Sequence, residues 1–155
     1  TAPKLPDNLF TVTDIDAELS KVRDDESDFI AADFSRLICA ETDFSAICFR
    51  NCLFHGCRFT ACDFTGCTFI DCVFKGCDIS NSDFSESFFE IKQTELKNVT
   101  LARSVFFGTK LAGLDFTSCN IEGLTVSDTG AELKGAKVDV WQAAMFAKLL
   151  GLIIE

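Results

Sequence analysis

The chain has 155 residues, with 24 acidic and 14 basic side chains and a formal net charge of −10. This length suits one domain that buries its own core, and the acidic excess argues against a surface that binds the phosphates of nucleic acid directly. The longest apolar run is shorter than 18 residues, which excludes a membrane-spanning helix.

The N-terminal segment, residues 1–26, lacks the periodicity that dominates the rest of the chain. Within it, residues 8–23 have the sequence NLFTVTDIDAELSKVR. We interpret this stretch as a short helix or strand that caps the first unit of the repetitive region.

Residues 27–140 follow a period of five. Large apolar residues recur at every fifth position from Phe29 to Phe89 and, after two-residue slips at EIKQTEL and SDTGAEL, continue to Val138, which makes 22 repeats. Neither a helix with 3.6 residues per turn nor a strand of period two keeps such a pattern on one face. A fixed short period indicates a solenoid, in which each unit packs on its neighbours.

Each repeat has two inward positions, a large central residue and a small residue two positions before it. The small residue is cysteine in six consecutive repeats, from Cys52 to Cys77. The other three positions are polar and typical of turns, as corners require. The central residues predicted to form the core are Phe44, Phe49, Phe54, Phe59, Phe64, Phe69, Phe74 and Phe84.

The C-terminal segment, residues 141–155, is predicted to form a helix that ends at Gly151. The apolar residues on and beside one face of this helix are Trp141, Met145, Phe146, Leu149 and Leu150. They offer more apolar surface than one end of a solenoid covers. We therefore predict a homodimer joined through this helix.

The repeats ADFSR, TDFSA, CDFTG and SDFSE resemble those of the pentapeptide-repeat proteins, and the resemblance covers roughly residues 27–140. It implies an all-β fold, a right-handed quadrilateral β-helix with four repeats per coil, capped by the C-terminal helix. The tail is similar to the final helix of the Qnr and MfpA type, which protects DNA gyrase from fluoroquinolones. In that type the helix caps the last coil and forms the dimer interface.

The nine cysteines are an odd number and no signal peptide is recognisable, which favours reduced thiols in a cytoplasmic protein. Disulfides and a metal site are the alternatives. On a four-sided coil, however, residues twenty apart stack in parallel, so their thiols neither converge on an ion nor supply the disulfide torsion well. We interpret the series from Cys52 to Cys77 as small apolar core residues. Cys48 stands at an outward position and is predicted to react most readily.

Acidic side chains recur at the outward position before the central residue. Stacking by twenty places Asp43, Asp63 and Asp83 in one column. The further acids that would broaden such a stripe are Asp33, Asp78, Glu95 and Asp115. One interpretation is that each aspartate caps its corner through the backbone. The other is an anionic stripe that imitates the phosphates of DNA.

Three functions follow from these features. The first is a DNA-mimicking protein that binds a type II topoisomerase, DNA gyrase or topoisomerase IV, and modulates it or confers fluoroquinolone resistance. The second is a protein-interaction scaffold with an unknown partner. The third, an enzyme that uses surface carboxylates and the single histidine, His55, is disfavoured because no nucleophile motif accompanies them. We predict no catalytic, cofactor-binding or metal-binding residue.

Overall fold

Short parallel strands, stacked about twenty residues apart, make the body of the protein. The computed structural model describes residues 3–90 and 94–155. The chain forms a right-handed quadrilateral β-helix with a short C-terminal helix, which confirms the predicted fold. Within the described residues, no helix has the length and apolar content needed to cross a membrane.

Three sides of the β-helix are parallel sheets. The first side consists of β1 (Phe10–Thr11), β3 (Ala32–Asp33), β6 (Leu53–His55), β9 (Val73–Lys75) and β11 (Glu95–Lys97). The second side consists of β2 (Phe29–Ile30), β5 (Cys48–Arg50), β8 (Thr68–Ile70) and β10 (Phe88–Phe89). The third side consists of β4 (Ile38–Ala40) and β7 (Arg58–Thr60). On the fourth side, isolated parallel bridges join Asp43 to Asp63 and Asp63 to Asp83.

The two slips in the repeat lengthen the coils in which they fall. Phe54 pairs with Phe74 twenty residues later, whereas Val73 pairs with Glu95 across the first slip, an offset of 22. Residues 91–93 of this slip lie outside the described residues. Each slip therefore adds two residues at one corner and leaves the stacking of the sides intact.

The second slip contains a short 3-10 helix, Ala131–Leu133. Its Glu132 is buried. The carboxylate of Glu132 accepts hydrogen bonds from the Gly108 N–H at 3.1 Å and from the Ser127 hydroxyl at 2.7 Å. These bonds satisfy the buried carboxylate and fasten the added residues to the preceding coil.

Stacked phenylalanine rings fill the core. Phe64 lies between Phe44, at a centroid distance of 4.9 Å, and Phe84, at 4.8 Å, with the rings nearly parallel. The structure buries all eight phenylalanines that were predicted as core residues, namely Phe44, Phe49, Phe54, Phe59, Phe64, Phe69, Phe74 and Phe84. Phe88, at an outward position, is 54 % exposed.

The small inward residues also act as hydrogen-bond donors, a role that the sequence analysis did not assign. The Cys67 Sγ donates to the Phe44 carbonyl oxygen at 3.0 Å, and the Ser87 hydroxyl donates to the Phe64 carbonyl oxygen at 2.7 Å. Cysteine, serine and threonine are the small side chains that carry such a donor. The recurrence of these three residue types at the small inward position was the feature of the sequence that could have predicted the donor role.

Most of the described corners place the residue two positions after the central one in the left-handed region. Examples are Ala46 (φ 59°) and Asn51 (φ 53°). This conformation costs about 1–2 kcal/mol for most residues but little for glycine, which is found at Gly56 and Gly76 with φ of 62° and 61°. Turn formation at these corners therefore depends on the coils above and below.

A helix packs on each end of the β-helix. Helix α1 (Ile15–Asp24) buries Leu19 and Val22 against the first coil. Helix α2 (Val140–Leu149) begins at a capping box formed by Asp139 and Gln142. The Gln142 side-chain amide donates to the carbonyl oxygens of Phe116 (2.7 Å) and Cys119 (2.9 Å), which anchors α2 on the last coil.

Candidate protein-binding surfaces

The acidic column, defined as Asp43, Asp63 and Asp83, runs along the fourth side of the β-helix. The parallel bridges put these residues in register on successive coils, at the spacing of about 4.8 Å between paired strands. Asp43 and Asp63 are exposed and Asp83 is half-buried. The structure thus brings together the three carboxylates that the period placed in one column.

Each carboxylate of the acidic column also closes its own corner. The Oδ1 atoms accept the backbone N–H of the residue two positions later, at 2.8 Å for Asp43 and Asp63 and 2.9 Å for Asp83. These are Asx turns. Of the two interpretations of the aspartates, corner capping is therefore present, and it holds each carboxylate in a fixed orientation with Oδ2 left for other contacts.

The remaining acids predicted for the stripe lie on other sides. Asp33 and Glu95 belong to the first side, where Leu53 and Val73 separate them. Asp78 lies on the third side, bridged to Arg58. Their carboxylates therefore do not continue the acidic column, although they contribute to the negative field around it.

The flanking segments supply cations to part of this surface. The Arg23 guanidinium, from α1, lies 3.3 Å from the Asp43 Oδ1 and also donates to the Asp43 carbonyl oxygen at 3.0 Å. Hydrogen bonds from Ser45, together with Arg23, lower the pKa of Asp43. In the described ranges, two aspartates form ion pairs with arginine: Asp43 with Arg23, and Asp28 with Arg50. The charges of Asp63 and Asp83 are therefore the part of the acidic column that no ion pair among the described residues compensates.

Asp115, near the other end of the β-helix, has a local environment similar to that of Asp43. Its Oδ1 accepts hydrogen bonds from the Thr117 hydroxyl at 2.6 Å and from the Thr117 N–H at 3.0 Å. These bonds, with Lys137 nearby, lower the pKa of Asp115. Asp115 is bridged to Lys137 on the next coil, so its charge is partly balanced.

Helix α2 presents an exposed apolar surface. We define the C-terminal apolar surface as Trp141, Met145, Leu149 and Leu150, which are 82 %, 37 %, 48 % and 47 % exposed. Ile153, beyond the helix, adds to it. Gly151 (φ 81°) ends α2 as predicted: its N–H donates to Lys148, and the Leu152 N–H donates to Ala147.

Phe146 differs from the other residues predicted for the dimer interface. It is buried within the chain and belongs to the core. Helical periodicity placed Phe146 beside the apolar face, but α2 lies on the last coil in an orientation that turns this ring inward. Its ring therefore holds the helix on the β-helix, and the proposed interface consists of the residues that stay exposed.

The cysteines divide into one accessible thiol and eight buried ones. Cys48 is half-buried, and all the others are buried. Burial raises the pKa of Cys39 to about 11 and that of Cys67 to about 12. A hydrogen bond with Cys77, 3.0 Å away, and burial also raise the pKa of Cys57. Thiols of this kind are unreactive in the folded state.

We expect a thiol reagent to modify native protein first at Cys48, and to reach the eight buried cysteines only after unfolding. The rate at Cys48 should keep rising above pH ~8.5, the ordinary cysteine value, because burial and Asp28 raise its pKa. With a reagent that releases a chromophore on reaction, the absorbance measures how many thiols have been modified. Cys48→Ser should abolish the fast phase. Fast modification of several cysteines in native protein would contradict the buried arrangement.

Comparison with known proteins identifies the repeat. The family model described as the pentapeptide repeat region matches residues 47–126, more than half of the chain. No curated protein matches this chain. The protein belongs to the pentapeptide-repeat family.

Solved structures of other pentapeptide-repeat proteins are similar over most of the chain. One is Rfr23 from the cyanobacterium Cyanothece 51142, at 9 % identity over 81 % of this chain and 100 % of that chain, with a TM-score of 0.43. Another comes from the thylakoid lumen of Arabidopsis thaliana, at 23 % identity, 79 % and 86 % coverage and a TM-score of 0.30. A third is QnrB1, a plasmid-mediated fluoroquinolone resistance protein, at 16 % identity, 78 % and 100 % coverage and a TM-score of 0.23.

Proposed function

We propose that this protein is a non-catalytic binding protein of the cytoplasm whose acidic column imitates DNA phosphates on a basic protein surface. The candidate partner is a type II topoisomerase, DNA gyrase or topoisomerase IV, which the protein would modulate or protect from fluoroquinolones. One observation carries the proposal: three carboxylates stand in register on successive coils. Each is oriented by its own corner before any partner binds, which lowers the entropy cost of binding.

Charge density sets a limit on how the mimicry works. Duplex DNA carries one charge per ~1.7 Å of axis, whereas one column of aspartates has a charge every ~4.8 Å. The acidic column alone is therefore too sparse. The acids on the neighbouring sides and the net charge of −10 must add to the field, and a dimer would double the length of the column.

A protein-interaction scaffold is the second candidate. The corner hydrogen bonds favour it, because they account for the aspartates without a basic partner. On this alternative the aspartates serve only to close corners. The two candidates differ in whether removing charge, with the corner hydrogen bonds kept, changes binding.

The test is supercoiling by gyrase and decatenation by topoisomerase IV, each with and without ciprofloxacin, at micromolar protein and low salt. The variant is Asp43→Asn, Asp63→Asn, Asp83→Asn, since the asparagine Oδ1 can accept the same backbone hydrogen bonds. The matched control, Asp7→Asn, Glu122→Gln, Asp128→Asn, removes the same charge from exposed residues elsewhere. Circular dichroism establishes that both variants are folded.

We expect the wild type and the control to change topoisomerase activity, and the column variant to lose at least tenfold in potency. The effect of the wild type should weaken steeply with salt, because exposed charges are screened beyond ~10 Å at 0.1 M. A wild type without effect on either enzyme would exclude topoisomerase binding and leave the scaffold. Equal losses in both variants would show that net charge, and not the acidic column, is responsible.

A further inference from the structure

The third side of the β-helix ends at an open strand edge. Strand β4 (Ile38–Ala40) is the first strand of this side and pairs with β7 on its C-terminal side. On its other side lies a groove of about 520 Å³ between β4 and helix α1. Its lining consists of Ile15, Asp16, Leu19 and residues 38–43.

The backbone at this edge has hydrogen-bonding groups to offer. The Leu37 carbonyl oxygen accepts from the Arg58 N–H, and the Glu41 N–H donates to the Thr60 carbonyl oxygen. Because strand residues alternate in direction, Cys39 also faces β7, and the N–H and C=O groups of Ile38 and Ala40 face the groove. Within residues 3–90 and 94–155, one hydrogen bond reaches these four groups, from the Thr42 hydroxyl to the Ala40 carbonyl oxygen at 3.4 Å.

Two of the other edges at this end are covered by the chain itself. Strand β1 covers the first side, where the Phe10 N–H donates to the Ala31 carbonyl oxygen at 2.7 Å. Arg23 covers the fourth side by donating to the carbonyl oxygens of Asp43 and Ser45. Among the described residues, the edge of β4 has no such cover, and unpaired edges invite association.

The charge of the groove indicates what would pair with this edge. The described lining residues include three carboxylates, of Asp16, Glu41 and Asp43, and no lysine or arginine. Arg23 balances Asp43, which leaves Asp16 and Glu41. A second copy of this chain has a net charge of −10 and would be repelled by these carboxylates. The groove at the edge of β2 contains Glu18, Lys21 and Asp28, and Asp28 is paired with Arg50, so this groove has no comparable preference.

We propose that β4 is a docking site for an extended, basic peptide segment of a partner protein, which adds to the third side as a strand. Main-chain hydrogen bonds to Ile38 and Ala40 supply affinity, as in other β-strand additions. Alternate side chains lie against Ile38, which is 75 % exposed, or reach the carboxylates of Asp16 and Glu41. This site shares Asp43 with the acidic column, but Asp63 and Asp83 lie outside it, and the proposal does not depend on topoisomerase binding.

The probe is a fluorescein-labelled peptide with the sequence Lys-Val-Lys-Val-Lys-Val, and anisotropy in low salt measures its binding to the full chain. Two control peptides separate the contributions. One carries N-methyl groups on alternate backbone nitrogens and keeps the charge, and the other has glutamate in place of lysine. We expect at least tenfold weaker binding for each control.

Protein variants locate the site. Ala40→Pro removes an N–H from the edge of β4, where proline is tolerated, and should weaken binding at least tenfold. Ile30→Pro is the matched control, because Ile30 holds the same position at the edge of β2, and should bind normally. Asp16→Asn with Glu41→Gln should weaken binding, whereas Glu122→Gln with Asp128→Asn should weaken it less than twofold.

Equal binding of the N-methylated peptide would overturn the proposal, since it would show electrostatic attraction without strand addition. Equal losses in Ala40→Pro and Ile30→Pro would place the peptide elsewhere and also overturn it. If Ala40→Pro fails to fold, the N-methylated peptide and the Asp16 and Glu41 variant still decide. Topoisomerase assays of the same variants keep this proposal separate from the proposed function.

Discussion

Replacing Phe64 with alanine is expected to lower the free energy of unfolding by about 3–5 kcal/mol. The ring is fully buried and lies between the parallel rings of Phe44 and Phe84, at 4.9 and 4.8 Å. Truncation removes stacking contacts on both faces and leaves a cavity that the regular backbone of the coils cannot close. Urea denaturation followed by circular dichroism measures the loss.

Phe88→Ala is the matched control for this prediction. Phe88 also lies in the repetitive region, but its side chain is 54 % exposed, so the same truncation should cost far less. Because the repeat places Phe64 inward and Phe88 outward, we expect a large loss of unfolding free energy only for Phe64→Ala. Equal shifts in the denaturation midpoints of the two variants would contradict the assignment of inward and outward positions.

The full chain is expected to form a homodimer at micromolar concentration, and Met145→Asp with Leu149→Asp should raise its dissociation constant at least 100-fold. These side chains belong to the C-terminal apolar surface, which remains exposed after α2 has packed on the last coil. Each chain would bring two aspartates to the two-fold interface, so the dimer would bury four negative charges without a positive charge to pair with them. Sedimentation equilibrium measures the dissociation constants.

The control for the dimer prediction is Ile30→Asp with Phe107→Asp, which introduces the same charges at exposed apolar positions elsewhere in the chain. This variant should remain dimeric. Phe146 is left unchanged in both variants because its ring holds α2 in place. A monomeric wild type at micromolar concentration would contradict the dimer, and dissociation of the control would place the interface outside α2.

The sequence by itself predicted the fold and the direction of most side chains in the repeats. A period of five with two inward positions specifies which residues face the core, because each coil repeats the geometry of the one before it. The resemblance to pentapeptide-repeat proteins added four repeats per coil, and with it Phe64 and Phe84 could be placed in one stack, and Asp63 and Asp83 in one column, without coordinates. The helical pattern near Trp141 likewise predicted α2.

Only the tertiary structure decided how the non-repetitive ends meet the repeats. The pairing of Arg23 with Asp43, the inward position of Phe146 and the open edge of β4 all depend on where α1 and α2 lie. A period carries no information about these contacts, because each joins one residue of a flanking element to one coil. The physical reason is that stacking is local and repeated, whereas the covering of an end depends on side chains that occur once.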